Sequence, residues 1–171
     1  MQRSPLFRPL TAIGLLCLLS ACGFQLRGVG GTELPEEWKK MYLVTGNPNG
    51  ELARELENTF AAYDVKWVER EEANYVLSVA QERFQQRNLS INAAARASEF
   101  ELTMTTNFAV QNAAGESVID TSQATVVKQM ENDPSNVVGK AEEARILKTE
   151  MRSELVQQIL RRIGYFATST P

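Results

Sequence analysis

Between Glu99 and Gln111 the chain alternates without a break. Phe100, Leu102, Met104, Thr106, Phe108 and Val110 fall on one face; Glu101, Thr103, Thr105, Asn107 and Ala109 fall on the other. This period of two, sustained over thirteen residues, predicts a long antiparallel strand with one buried face and one wet face. Asn112-Ala113-Ala114-Gly115-Glu116 reads as a hairpin turn, with a glycine free to take positive φ. Glu116 to Met130, rich in Val, Ile and Thr, returns beside it. A strand with one apolar face needs a second layer to cover that face.

Two helical stripes supply the layer. After the turn Gly46-Asn47-Pro48-Asn49-Gly50, Leu52, Leu56, Phe60 and Tyr63 recur at helical spacing, with Arg54, Glu55, Glu57 and Asn58 off the stripe. Later Ala144, Leu147, Met151, Leu155, Ile159 and Ile163 form a longer stripe, widened by Val156 and Leu160. Ser135 is its candidate N-cap and Gly164 its expected stop. Met41 to Thr45 reads as a short strand and Val65 to Val68 as a brief extended segment. From Asn74 a strand starts with Tyr75, Leu77 and Val79 on one face, then turns polar through Gln81 to Arg87. The expected fold is an α+β two-layer sandwich. Two helices pack on one face of a sheet of about four strands, in the order β-α-β-β-β-α. The other face is left to Thr, Gln, Asn and Ser.

The first residues have a different character. Arg3 and Arg8 precede an apolar run, Ala12 to Leu19, which leads into Leu19-Ser20-Ala21-Cys22. A basic start, a short apolar core and small residues before a cysteine make a bacterial lipoprotein signal. Cleavage before Cys22 leaves its amine and thiol for acylation. The apolar run is shorter than the roughly 20 residues a bilayer span needs. Residues 1–21 are therefore the signal, 22–40 a lipidated tether loosened by Gly28, Gly30 and Gly31, 41–166 a single domain and 167–171 a flexible tail.

Removing the signal leaves 16 basic against 21 acidic residues, a net charge of about −5. That balance counts against nucleic acid as a partner. Cys17 leaves with the signal and Cys22 is acylated, so the mature chain has no thiol for a disulfide. With no histidine at all, the commonest general base and most zinc sites are missing. The acids are scattered over helix faces and turns. An enzyme is not expected, and neither a cofactor nor a metal site is read from the chain.

Cys22-Gly23-Phe24-Gln25-Leu26-Arg27-Gly28 resembles the mature start of the LPS-assembly lipoprotein (LptE) family. The likeness continues at Asn47-Pro48-Asn49-Gly50 with Leu52 and Arg54. It recurs at Glu99-Phe100-Glu101-Leu102-Thr103-Met104, at Asn132-Asp133-Pro134 with Lys140, and at Leu160-Arg161-Arg162. It runs over nearly the whole mature chain. The resemblance implies an outer-membrane lipoprotein of the periplasmic leaflet that plugs a large LptD-like β-barrel, one to one. The pair inserts lipopolysaccharide into the outer leaflet, and family members bind lipopolysaccharide. Gly23 agrees with this location, because the aspartate that usually retains lipoproteins at the inner membrane is absent.

Lipid A carries phosphates, so the candidate contacts are Lys and Arg near one sheet end. Lys140 matches a basic position of the family. Lys128 lies just before the Asn132-Asp133-Pro134 turn. Arg87 and Arg96 flank the expected loop Asn88 to Ala97. Ala93-Ala94-Ala95 departs from the family in that loop and leaves Arg96 as its nearest cation. All four converge at one end of the sheet if the long strands pair. Two other functions compete: a free-standing periplasmic lipoprotein that binds lipid or protein without a barrel, and a lipid-anchored hydrolase. The missing histidines count against the second.

Overall fold

The computed structural model describes residues 34–91, 97–131 and 137–169. Cys22, Arg96, the Asn132-Asp133-Pro134 turn and the Ser135 cap lie outside them. Among the described residues the chain forms strands β1 (Lys40–Thr45), β2 (Lys66–Trp67), β3 (Tyr75–Val79), β4 (Arg83–Ile91), β5 (Ala97–Asn112) and β6 (Ser117–Glu131). Helix α1 (Glu51–Ala61) lies between β1 and β2, and helix α2 (Val137–Ser169) follows β6.

β5 organises the sheet. It pairs antiparallel with β6 along one edge, and with β3 and then β4 along the other. β1 joins β3 in parallel, and the two-residue β2 joins β1 in parallel. The sheet is thus mixed and six-stranded rather than four-stranded. One added strand is β2, from the segment Val65 to Val68. The other comes from a break in the strand expected to run from Asn74 to Arg87. Val79 pairs with Phe108 and Arg83 with Thr105, so three residues on one side face two on the other. The extra residue is a bulge. It is pinned by Thr106, whose buried hydroxyl donates to the Ala80 carbonyl oxygen at 2.7 Å.

The faces follow the expected alternation. Leu102, Met104, Phe108 and Val110 of β5 are buried with Leu77, Val79, Ala124, Val126 and Met130. Leu52, Leu56 and Phe60 of α1 and Met151, Leu155, Val156, Ile159, Leu160 and Ile163 of α2 join the same core. The 112–116 turn closes as expected, with Gly115 at φ 84°. Gly50 stands before α1, where a Cβ would lie 2.9 Å from the Asn47 side-chain nitrogen and 3.0 Å from the Asn47 carbonyl oxygen, so the tight turn favours glycine.

Three boundaries differ from the sequence reading. The folded domain takes in residues assigned to the tether: Leu34 and Trp38 are buried, and Trp38 stacks on Tyr75 with ring centroids 3.9 Å apart. Asn88 to Ile91, expected in a loop, continue β4 opposite Phe100 to Ala97. Helix α2 does not stop at Gly164. It runs to Ser169, so Ala167 to Ser169 form its last turn rather than a tail. Burial of Ala167 against the core outweighs the modest helix penalty of one glycine.

Candidate functional site

β5 reaches well past β1 and β3. Its stretch Phe108–Asn112 lies beside β3, while residues 97–105 run between β4 and β6 as a three-stranded tip. On the face away from the helices, three rows cross this tip: Arg83–Thr105–Thr125, Gln85–Thr103–Val127 and Arg87–Glu101–Gln129. Apart from Val127, the face is made of hydroxyls, amides and charges. A shallow depression of about 500 Å³ lies there, lined by Gln85, Gln86, Arg87, Glu101 and Thr103.

Arg87 and Glu101 form the strongest feature of this face. The guanidinium grips the carboxylate through two hydrogen bonds, Nε to Oε1 at 2.6 Å and Nη2 to Oε2 at 2.9 Å. The hydrogen bonds from Arg87 hold the Glu101 carboxyl below its usual range, and Glu101 pushes Arg87 further up. One row on, the Ser90 hydroxyl donates to Glu99 at 3.0 Å.

Lys128 sits at the same end but on the other face. It opposes Leu102, a helix-facing residue, whereas Arg87 opposes Glu101. A period of two separates them. Lys128 Nζ lies 2.6 Å from Glu154 and 3.2 Å from Glu150, both on α2. Hydrogen bonds from Glu154 and then Glu150 raise its pKa, against a smaller lowering by burial. Lys140 is half-buried in the first turns of α2 and is also engaged. Arg87 and Lys128 thus lie at the same end of the sheet but do not share a face.

Two further cations were not singled out from the sequence. Lys148 places its ammonium 4.3 Å from the centre of the Phe84 ring, on the helix side of the tip. Its one sequence signal is its place beside Leu147 at the margin of the apolar stripe. Arg152 is largely buried and bridges Glu51 at the start of α1 and Glu82 in the β3–β4 bulge, the latter at 3.1 Å. Its partners are distant in sequence, so no local pattern marks it.

Chemically, the tip is a set of paired charges and neutral hydrogen-bonding groups. Arg87 and the glutamates that hold Lys128 keep one side open to solvent. A phosphate offering the same two-oxygen geometry can compete with Glu101 for Arg87, or with a glutamate for Lys128. Among the described residues no group of His, Cys, Asp or Glu could hold a metal ion, and no helix is long and apolar enough to cross a membrane.

Comparison with known proteins supplies the context for this geometry. The lipopolysaccharide-assembly family model LptE matches residues 38–163. The LPS-assembly lipoprotein LptE of Photorhabdus laumondii is 28% identical over 153 residues, covering 88% of this chain and 82% of that one. The protein of the same name from Yersinia pestis (strain Pestoides F) is 29% identical over 154 residues, covering 88% and 72%. Two solved structures share the fold. Lipoprotein B from Nitrosomonas europaea aligns with a TM-score of 0.72 at 23% identity, over 86% of this chain and 94% of that one. The rare lipoprotein B from Shewanella oneidensis aligns with a TM-score of 0.67 at 23% identity, over 75% and 96%.

Proposed function

The chain belongs to the LptE lipopolysaccharide-assembly family, and on that premise we propose that it is an outer-membrane lipoprotein that plugs a large β-barrel and assists insertion of lipopolysaccharide into the outer leaflet. Its anchor is Cys22, acylated in the periplasmic leaflet. Its barrel partner is LptD-like and binds one to one. Its role is to bind and position, without catalysis.

The observation that carries this reading is the open face of the tip. The interior of a large outer-membrane barrel is polar. A plug must therefore show hydroxyls, amides and paired charges, with its apolar residues turned inward. Thr103, Thr105, Thr125, Gln85, Gln129 and the Arg87–Glu101 pair present such a surface, while Leu102, Met104 and Phe108 face the helices.

Lipopolysaccharide is held, in this reading, at the same end. Lys140 and Arg96 are the principal phosphate contacts, with Lys128 and Arg87 recruited by exchange of their carboxylate partners. Capture of the chain in mild detergent through a C-terminal tag tests the barrel. A stoichiometric large β-barrel protein supports the plug, and its absence favours a free-standing lipoprotein. For the ligand, Lys140→Glu with Arg96→Glu should weaken lipopolysaccharide binding in a salt-sensitive way while the fold stays intact. Unchanged binding would remove the phosphate site.

A further inference from the structure

Helix α2 runs down the β6 edge toward the β5–β6 hairpin. The Gln158 side chain bonds both the N–H and the carbonyl of Thr125, and Arg162 donates to the Gln123 carbonyl oxygen at 2.8 Å. The helix then continues to Ser169, leaving Tyr165 70% and Phe166 39% exposed. Their rings meet edge to face at 6.1 Å. Arg161 and Arg162 lie one turn before them, and among the described residues neither forms an ion pair with a carboxylate. These four side chains line a depression of about 460 Å³ with Gln158 and the β6 edge. A cluster of two arginines and two exposed aromatics stands out on a chain whose mature net charge is about −5.

Its place in the fold indicates the partner. The β1–β3–β5 row that closes this end is Met41–Tyr75–Asn112. Leu34 and Trp38 lead into β1 there, so the chain enters the domain at the end where α2 finishes. Cys22 stands twelve residues before Leu34, a link that reaches at most about 40 Å when fully extended. The chain therefore enters the domain at the end that carries the aromatic-basic cluster.

We propose that the C-terminal end of α2 rests on the lipid surface into which Cys22 is anchored. Tyr165 sits at headgroup level, where an amphipathic ring is favoured, Phe166 adds an apolar ring beside it, and Arg161 and Arg162 meet lipid phosphates. The acyl chains hold the protein on the membrane; this contact sets its orientation. β5, about 50 Å long, runs from this end of the domain to the tip with Arg87 and Lys128. The inference uses the Cys22 anchor of the proposed function and is independent of the barrel.

The test uses the full mature acylated chain with Ser169→Cys as its single thiol, carrying a nitroxide. Ser169 is exposed and lies one helical turn beyond Tyr165 on the same face. Asn88→Cys, exposed on the tip, is the control. Each is bound to vesicles of phosphatidylethanolamine and phosphatidylglycerol, and collision with a water-soluble nickel complex is measured by spin-label relaxation. At Ser169 accessibility should fall severalfold when vesicles are added, while Asn88 stays unchanged. Adding Arg161→Glu, Arg162→Glu and Tyr165→Ser should return Ser169 to its aqueous value while the protein still sediments with vesicles. Equal, unchanged accessibility at both sites overturns the inference, as does protection of Ser169 only when a protein partner is added. A chain that does not sediment overturns the Cys22 anchor and this inference with it. Sedimentation without protection of Ser169 overturns the inference alone.

Discussion

Asp64 is the one non-glycine residue with positive φ among those described, at 63°. It stands just past α1, where the Asp64 N–H donates to the Ala61 carbonyl and the Val65 N–H to the Phe60 carbonyl. This is a Schellman ending, which usually places glycine at the left-handed position. Asp64→Gly should therefore raise stability by up to about 1 kcal/mol, read by urea denaturation. Arg152 shows the opposite sensitivity. It ties the start of α1, the β3–β4 bulge and α2 through Glu51 and Glu82, and its loss leaves the half-buried Glu82 unpaired. Arg152→Met should cost about 2 kcal/mol in the same assay. The Lys128 pair has a pH signature. Its folded pKa is raised, chiefly by Glu154, above the ordinary lysine value of 10.5. Its contribution is complete below that value and is lost as pH rises through the folded one. The Tm difference between wild type and Lys128→Met should thus be constant from pH 7 to about 10 and shrink above it.

At the scale of elements, β6 is an open edge that α2 covers. An uncovered edge pairs with other chains. Gln158→Ala with Arg162→Ala removes the side chains that occupy the Thr125 and Gln123 backbone groups. Concentration-dependent self-association should follow, detected by light scattering, with the monomer core intact. The elements legible in the sequence are those that rest on a local period: β5 and β6 from alternation, α1 from Leu52, Leu56 and Phe60, α2 from Met151, Leu155 and Ile159. What stayed hidden depends on contacts across the fold. The bulge at Ala80 is set by the Thr106 hydroxyl from another strand, and α2 passes Gly164 because Ala167 finds core to bury against. Leu34 and Trp38 read as tether in the sequence because the glycines before them mark loose chain. Their burial comes from Tyr75 and the core, which local composition does not show. The same holds for the site. Arg87 and Lys128 are legible as cations near one sheet end, but their carboxylate partners and opposite faces depend on strand register.

For the whole molecule, the parts follow one axis. The chain enters beside the α2 terminus at one end, and the β4–β5–β6 tip projects from the other. The helices cover one face and leave the other polar. That division suits a protein held at a membrane by one end and enclosed by a polar surface around its sheet. In the proposed function the open face lies inside a β-barrel. Replacing Thr105 or Gln85 with a photo-crosslinking amino acid in living cells tests it directly. Both positions should crosslink to one large outer-membrane β-barrel protein, and a helix-side position such as Glu143 should not. Crosslinks to many unrelated proteins, or to none, would contradict it.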